Sequence, residues 1–191
     1  HVGFLAEVEP EGLPRVVEQI TERQWTLDRR MTIDIEVMLP DGSRATSWTL
    51  NEAALDKHGQ PMIEVSLGVD GRGVSSFACD SVLMATPTGS TAYTFSAGGP
   101  VVWPDVEAML LVTRPLVVGP NSELQVVLDS DGAKLVCDGR RELPVAAGSI
   151  ISARKSDYPV YLARLNDTPF SGRLVKKFDL PVRGFRDRGR P

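Results

Sequence analysis

The feature that most constrains the fold is the dipeptide Asp-Gly, which occurs four times between β-prone stretches. The four pairs are Asp41-Gly42, Asp70-Gly71, Asp131-Gly132 and Asp138-Gly139. Asp-Gly suits the left-handed backbone of a two-residue hairpin turn and is the strongest local signal for a β-hairpin. Predicted strands lie at about 31–39, 44–50, 62–69, 73–79, 81–85, 116–118, 123–128, 134–137, 141–145, 149–155 and 160–165. So many strands predict two packed sheets.

Two segments show helical spacing instead. Apolar residues after Pro10 predict a short amphipathic helix that ends near Arg23. The side chains of this helix expected in the core are Leu13, Val16 and Ile20. Near the end of the chain, apolar residues repeat every four positions and predict a short docking helix. Its apolar residues are Phe170, Leu174 and Phe178.

Composition excludes several classes of function. The formal net charge of −4 and a pI near 5.3 argue against a nucleic-acid surface. Two cysteines, Cys79 and Cys137, with two histidines, give no zinc-binding spacing and predict reduced thiols. No apolar run approaches the roughly 20 residues of a membrane helix. We therefore expect a soluble cytoplasmic protein that binds neither nucleic acid nor membrane.

A hydroxyl-rich stretch follows the apolar strand at 81–85. Thr86-Pro87-Thr88-Gly89 breaks this strand with turn residues. Ser90 and Thr91 are expected to cap a short helical turn, so that free backbone N–H groups and hydroxyls converge beyond the strand. Such a place suits a phosphate-bearing ligand; a capped turn without a ligand is the alternative. The stretch lacks the lysine and the glycine spacing of a Walker loop.

Other polar residues suit a ligand with hydroxyl groups and a base. Asn51-Glu52 interrupts a β-prone run, and an amide beside a carboxylate suits a ribose diol. The alternative for this pair is a solvated strand end. Asp80 either holds a ligand amide or hydroxyl, or forms a turn. Tyr93 or Phe95 suits stacking on a base, although core packing is the usual role of such aromatic rings.

Three motifs occur in order along the chain. They are Asn-Glu after a strand, then Cys-Asp-x-Val-Leu-Met-Ala-Thr-Pro-Thr-Gly-Ser-Thr-Ala-Tyr, then Ser-Ala-Gly-Gly-Pro-Val. This combination resembles the NAD kinase family, with details similar to its actinobacterial members. Gly3–Glu7 resembles the segment after the family's first domain, Arg114–Val117 its Arg-Pro strand, and Phe170–Phe178 its C-terminal docking segment. The resemblance covers nearly the whole chain.

The resemblance implies phosphorylation of the 2′-hydroxyl of the adenosine ribose of NAD to give NADP. ATP or polyphosphate would be the phosphoryl donor, with Mg²⁺ or another divalent cation and no metal ligand assigned in the chain. Asn51 and Glu52 would hold polar groups of the dinucleotide, and Asp80 would approach the nicotinamide end. The full implied NAD-binding set is Asn51, Glu52, Asp80, Thr88, Thr91, Ala92, Tyr93, Thr94, Phe95, Ser96, Asp138 and Arg140. A homodimer or homotetramer is expected, since the family's site often lies between subunits.

The chain departs from the family pattern at two places. The family's Gly-Gly-Asp-Gly stretch is absent from the sequence, so the catalytic aspartate is expected upstream of His1. Leu111-Val112-Thr113 runs directly into Arg114-Pro115, where relatives carry a loop with a histidine. Two alternatives stay open: a lipid kinase of the diacylglycerol or sphingosine type, and a non-catalytic NADP(H)-binding β-domain.

The expected fold class is α+β, mainly β, in three parts. Residues 1–28 would be the end of an upstream α/β domain with a linking helix. Residues 29–165 would be a two-sheet sandwich that binds NAD, and residues 166–191 a C-terminal segment that packs back on the upstream domain. The last eight residues, 184–191, are expected to be mobile.

Overall fold

The computed structural model describes residues 10–182. The family-like start at Gly3–Glu7 and the predicted mobile end at 184–191 lie outside the described residues. The chain forms two compact units, of which the described parts are residues 10–28 with 161–182, and Arg29–Val160. The candidate site lies in the second unit.

The described residues form fourteen strands and three α-helices. The strands are β1 (Thr26–Arg30), β2 (Ile33–Met38), β3 (Arg44–Thr49), β4 (Glu52–Lys57), β5 (Ile63–Val69), β6 (Arg72–Cys79), β7 (Ser81–Ala85), β8 (Met109–Val112), β9 (Leu116–Val118), β10 (Glu123–Leu128), β11 (Ala133–Cys137), β12 (Arg141–Leu143), β13 (Ile150–Lys155) and β14 (Val160–Arg164). The helices are α1 (Leu13–Thr21), α2 (Tyr93–Ser96) and α3 (Phe170–Phe178). No helix in residues 10–182 is long and apolar enough to cross a membrane.

The larger unit contains two six-stranded antiparallel sheets, as predicted. The first sheet has the order β3-β2-β13-β10-β5-β6, and the second sheet has the order β12-β11-β4-β7-β8-β9. Alternate side chains point into one core, for example Ile33 and Ile35 of β2 and Leu55 of β4. Burying each such side chain contributes about 1.5–3 kcal/mol. β1 and β14 form a separate two-stranded sheet.

Three of the four Asp-Gly pairs form the predicted hairpins. Asp41-Gly42 joins β2 to β3, Asp70-Gly71 joins β5 to β6, and Asp138-Gly139 joins β11 to β12. Asp70 and Gly71 have φ of 51° and 74°, the left-handed values that such a turn requires. The hairpin prediction at Asp131-Gly132 is wrong, because β10 and β11 belong to different sheets. An Asp-Gly pair predicts that the chain reverses direction at that point, but it does not predict which strand the next strand pairs with.

Three strands were not predicted from the sequence: β1, β4 and β8. β4 is buried from Glu52 to Leu55, and β8 is buried throughout Met109–Val112. Strands that are covered on both faces lose the apolar–polar alternation by which a strand is recognised.

The smaller unit contains both predicted helices, α1 and α3. The prediction that α1 places its apolar residues in the core is wrong, because Leu13 is 60% and Ile20 is 53% exposed and Val16 is only half-buried. Amphipathic spacing identifies the apolar face of a helix but not what covers it. The apolar residues of α3 are half-buried; docking of α3 on an upstream domain stays a prediction.

Candidate ligand-binding site

The ends of three adjacent central strands, β11, β4 and β7, meet at one end of the second sheet. Glu52 at the start of β4 pairs with Ala85 at the end of β7. Ala53 pairs with Cys137 at the end of β11. Because neighbouring strands are antiparallel, the start of β4 lies between the ends of its two neighbours. The Asn-Glu pair, the hydroxyl-rich residues after β7 and the Asp-Gly turn after β11 therefore come together.

Residues Thr86–Thr91, here called the hydroxyl loop, lie directly on the backbone before β4. The Thr86 N–H donates to the Asn51 carbonyl at 2.9 Å, and its Oγ1 donates to the Leu50 carbonyl at 2.5 Å. Gly89 approaches so closely that a Cβ there would lie 2.0 Å from the Asn51 oxygen. The loop thus fixes the position of the Asn-Glu pair from one side.

The hydroxyls of Ser90 and Thr91 bind within the loop region, and neither caps α2. Ser90 Oγ donates to the Pro87 carbonyl at 2.6 Å and accepts from the Val102 N–H at 2.9 Å. Thr91 Oγ1 donates to the Thr88 carbonyl at 3.2 Å. The prediction that these two residues cap the helix is wrong, because both hydroxyls are buried beside nearer carbonyl acceptors.

The backbone N–H groups expected to be free for phosphate are partly used inside the loop. Those of Ser90 and Ala92 donate to loop carbonyls at 3.1 and 2.8 Å. The N–H of Tyr93 instead faces the Glu52 carboxyl group and counteracts the rise of its pKa. These N–H groups order the site and do not form an open phosphate cradle.

Ser90→Ala should therefore destabilise the protein without touching a ligand group. It removes the hydroxyl between Pro87 and Val102 and leaves the half-buried Val102 N–H without its acceptor. We expect a loss of about 2 kcal/mol, measured as a lower midpoint in urea unfolding. Ser76→Ala is the matched control, since Ser76 is exposed and its hydroxyl bonds only at the surface, to Ser66. Equal midpoints for the two variants would contradict this role of Ser90.

Glu52 is the most unusual ionisable group of the site. Its side chain is buried, with 8% exposure, and Oε2 has no hydrogen-bond partner among the described residues. Burial, and secondly the negative charge of Asp138, raise its pKa to about 7. A buried oxygen without a partner is costly. A ligand hydroxyl that donates to Oε2 would remove this cost.

Asp138 has its carboxylate fully engaged. It accepts from Thr49 Oγ1 at 2.5 Å, from the N–H groups of Leu50 and Asn51 at 3.0 and 2.7 Å, and from Arg141 Nη2 at 2.7 Å. Burial favours a higher pKa for Asp138, but these hydrogen bonds outweigh burial and hold the pKa below its usual value. Asp138 therefore stays ionised and bound to the residues that precede Glu52.

The Tyr93 side chain, at the start of α2, reaches β4 of the second sheet. Tyr93 is 44% exposed, and its hydroxyl lies 3.5 Å from Asp56 Oδ1. Burial raises the pKa of Asp56. A Cβ on Gly99 would clash with Thr94 and Val112, so the chain after α2 also lies close to this face. The exposed Tyr93 ring, near the buried Glu52 and the half-buried Asp56, forms a half-open polar surface.

The remaining predicted site residues lie in different settings. Thr88 and Thr94 are buried, whereas Phe95, Ser96 and Arg140 are exposed. Asp80 is exposed and forms an ion pair with Lys57 Nζ at 2.6 Å. It precedes β7, about 20 Å along that strand from the hydroxyl loop. The structure thus brings Asn51, Glu52, Asp138 and the hydroxyl loop together and leaves Asp80 at the far end of β7.

The contacts of two arginines in the site region were not predicted from the sequence. Arg30 is buried, with 1% exposure, and its Nη1 lies 3.4 Å from Thr88 Oγ1. Nothing in the sequence marks Arg30 as buried. Arg141 binds Asp138, and the three-residue spacing between them across an Asp-Gly turn was the signal that could have revealed this pair.

A separate recess of about 970 Å³ lies on the first sheet. It is lined by residues of β2, β3 and β13 and of the segment after β13, and none of the predicted site residues lines it. Its cations Arg154 and Lys155 are paired with Glu123 at 2.8 Å and Glu107 at 2.5 Å. The candidate site is therefore placed at the second sheet, where a buried acceptor is available.

Comparison with known proteins identifies the family. The family model described as ATP-NAD kinase C-terminal domain matches residues 50–165, more than half of the 191 residues. The chain belongs to this family. The match begins one residue before the Asn-Glu pair and includes all three strand ends of the site. The family resemblance noted in the sequence is confirmed.

Curated relatives extend the match beyond this domain. An NAD kinase of Rhodococcus jostii is 46% identical over 198 residues, covering 98% of this chain and 62% of that protein. An NAD kinase 2 of Streptomyces avermitilis is 46% identical over 196 residues, covering 97% of this chain and 65% of that protein. The chain thus spans a little under two thirds of the length of these actinobacterial relatives.

Solved structures share the fold. A yeast NADH kinase complexed with NADH superposes with a TM-score of 0.88 at 21% identity, covering 95% of this chain and 58% of that one. An NAD kinase from Archaeoglobus fulgidus in complex with ATP gives a TM-score of 0.71 at 30% identity, covering 93% and 69%. The two-sheet fold expected from the sequence is confirmed.

Proposed function

We propose that the protein acts as an NAD kinase, transferring phosphate from ATP or polyphosphate to the 2′-hydroxyl of the adenosine ribose of NAD, with NADP as the product. The observation that carries the proposal is the buried Glu52 carboxyl group, whose Oε2 has no hydrogen-bond partner among the described residues. This group lies next to Asn51 and close to the exposed Tyr93. Family membership and relatives named NAD kinase support it. The solved complexes with NADH and ATP support the same two ligand classes.

In this proposal Asn51 and Glu52 hold ribose hydroxyls. The backbone of Asn51 is engaged with Thr86 and Asp138, which leaves its side-chain amide for the ligand. Above pH 7 the Glu52 carboxylate is ionised and accepts from hydroxyls, with hydrogen bonds stronger than those to a neutral acceptor.

Other residues of the implied set would extend the binding surface. The Tyr93 ring offers a face for the adenine. The Tyr93 hydroxyl points along the sheet toward Asp56, which pairs with Ser81 next to Asp80. A dinucleotide that follows this direction approaches Asp80, as expected for its nicotinamide end.

Phosphoryl transfer requires alignment of the acceptor hydroxyl and neutralisation of phosphate charge. Within residues 10–182 no group of three or more His, Cys, Asp or Glu is arranged to hold a metal ion. We therefore assign no metal ligand in this part of the chain and propose that Mg²⁺ or another divalent cation is held mainly by the donor phosphates. When bound, the cation would supply charge neutralisation. The general base is proposed to be the aspartate of a Gly-Gly-Asp-Gly segment, which these 191 residues do not include.

Assembly and location are further parts of the proposal. A homodimer or homotetramer is proposed, in line with the family expectation that the site is shared between subunits. A cytoplasmic location is proposed from the two free, buried cysteines, which fit a reducing compartment. Light scattering and cell fractionation measure these two properties.

Tyr93→Ala tests the placement of NAD. The substitution removes the exposed ring proposed to stack on adenine, and we expect the Kd for NAD to rise about tenfold, since stacking of one base contributes about 1–3 kcal/mol. The Kd for ATP should change less. Calorimetric titration of each ligand measures both constants.

Tyr158→Ala is the matched control, because Tyr158 is 82% exposed and lies beside the other recess. Equal effects of Tyr93→Ala on NAD and ATP would contradict the assignment of this surface to NAD. In a phosphoryl-transfer assay, transfer to diacylglycerol but not to NAD would favour the lipid kinase alternative. NADP(H) binding without transfer by a longer form with the Gly-Gly-Asp-Gly segment would favour the non-catalytic alternative.

A further inference from the structure

The guanidinium group of Arg141 holds the end of β3 through three contacts. Its Nη2 lies 2.7 Å from Asp138 Oδ2 and 2.8 Å from the Trp48 carbonyl oxygen. Its central carbon lies 4.6 Å from the centre of the Trp48 ring, within cation–π range. We call Trp48, Asp138 and Arg141 the arginine clamp. In this clamp the Arg141 guanidinium group is held by the carbonyl group and ring of Trp48 and by the Asp138 carboxylate.

The carboxylate of the arginine clamp has little capacity left for a ligand. Asp138 already accepts four hydrogen bonds, and a carboxylate offers about four acceptor positions. Two of the donors are the consecutive N–H groups of Leu50 and Asn51. The carboxylate therefore binds the backbone that leads into the Asn-Glu pair.

The Asn-Glu pair is thus held on two sides. On one side, the hydroxyl loop binds the carbonyl groups of Leu50 and Asn51. On the other side, Asp138 binds their N–H groups, and the Asp138 N–H donates to the Glu52 carbonyl at 2.9 Å. A short segment with both its donors and its acceptors engaged has little freedom to move.

We propose that Asp138 and Arg141 are positioning residues: they hold residues 48–51 so that the Asn51 amide and the Glu52 carboxyl group are fixed for the dinucleotide, and they do not contact it. The identity of the ligand rests on the proposed function. Arginine suits this place better than lysine, because its planar group donates to two oxygens and stacks on the ring at the same time.

Arg141→Ala and Arg141→Lys test the clamp in the intact chain. Amide hydrogen exchange of Leu50 and Asn51 reads the order of the segment, and calorimetric titration with NAD reads its consequence. We expect Arg141→Ala to speed exchange at both amides and to raise the Kd for NAD, each about tenfold. Arg141→Lys should give an intermediate effect on both. Arg44→Ala is the matched control, since Arg44 forms an exposed ion pair with Glu36 at the other end of β3.

Asp138→Asn tests the proposal through the pKa of Glu52, a quantity that would not change if Asp138 only stabilised the fold. The negative charge of Asp138 contributes to the raised pKa of Glu52. Removing this charge should lower that pKa, as measured by ¹³C NMR titration of the Glu52 carboxyl carbon without ligand. An unchanged pKa would overturn the placement of the two carboxyl groups on which the proposal depends.

Each outcome of these measurements decides a separate point. A weaker affinity for NAD with unchanged exchange at Leu50 and Asn51 would overturn the positioning role in favour of direct contact. Faster exchange with unchanged affinity would also overturn it, because the order of the segment would then not matter for binding. If the wild-type chain binds neither NAD nor NADP, the proposed function fails, while exchange and the Glu52 titration still decide whether the clamp orders the segment.

Discussion

Gly89→Ala is expected to cost about 3 kcal/mol or more of unfolding free energy and to abolish dinucleotide binding. A Cβ at this position would lie 2.0 Å from the Asn51 carbonyl oxygen, 2.5 Å from its carbon and 2.9 Å from its Cα. All three are backbone atoms of a segment held on both sides, so no side-chain rotation can relieve the clash. Overpacking of this kind costs about 1–3 kcal/mol where neighbours can move, and more where they cannot.

Urea unfolding and calorimetric titration with NAD measure the two effects of this substitution. Gly73→Ala is the matched control, because Gly73 lies in a strand, has no atom within 4 Å of its added Cβ and does not have a positive φ. The control should unfold within about 0.5 kcal/mol of wild type. A Gly89→Ala variant with wild-type stability would show that the hydroxyl loop does not lie on the Asn51 backbone.

Glu52→Gln is expected to make the protein more stable at pH 8 and to weaken its binding of NAD. The folded state raises the pKa of Glu52 from 4.5 to about 7, so it binds more protons than the unfolded state between these values. Wild-type stability should therefore fall as pH rises from about 4.5 to about 7 and then change no further through this group. Glutamine is neutral throughout and avoids this loss.

The expected gain is about 1–3 kcal/mol at pH 8, falling toward zero near pH 4. Urea midpoints of wild type and Glu52→Gln, measured from pH 4 to pH 8, give the difference at each pH. Glu64→Gln is the control, since Glu64 lies exposed on β5. Parallel pH curves for wild type and Glu52→Gln would contradict the buried setting of Glu52.

A stability gain combined with lost binding would be informative about function. A buried carboxyl group with a free oxygen reduces stability, and stabilising substitutions at such sites commonly cost activity. This combination would indicate that Glu52 serves ligand binding rather than the stability of the fold.

The antiparallel character of the fold could be predicted from local chemistry. Asp70-Gly71 and Asp138-Gly139 contain the residues that left-handed turns need, and both form hairpins. β4 could not be predicted, because burial on both faces removes its alternation. The crossing between sheets at Asp131-Gly132 could not be predicted either, since pairing with a distant strand depends on the whole core.

The candidate site could be predicted in its residue types but not in their contacts. The Asn-Glu pair and the hydroxyl loop were singled out from the sequence, and the structure places them in contact. The contacts of Ser90 were not predictable, because whether a hydroxyl caps a helix or binds a carbonyl depends on burial. The role of Arg141 depends on the Trp48 ring, which is distant in sequence.

The central claim is that the free oxygen of Glu52 receives a hydroxyl group of NAD. Calorimetric titration of NAD into wild type and Glu52→Gln at pH 8 tests it most directly. We predict saturable binding by wild type and a Kd at least about tenfold higher for the variant, since a hydrogen bond to a charged group contributes about 1.5–3 kcal/mol. Equal affinities of the two proteins for NAD would contradict the claim.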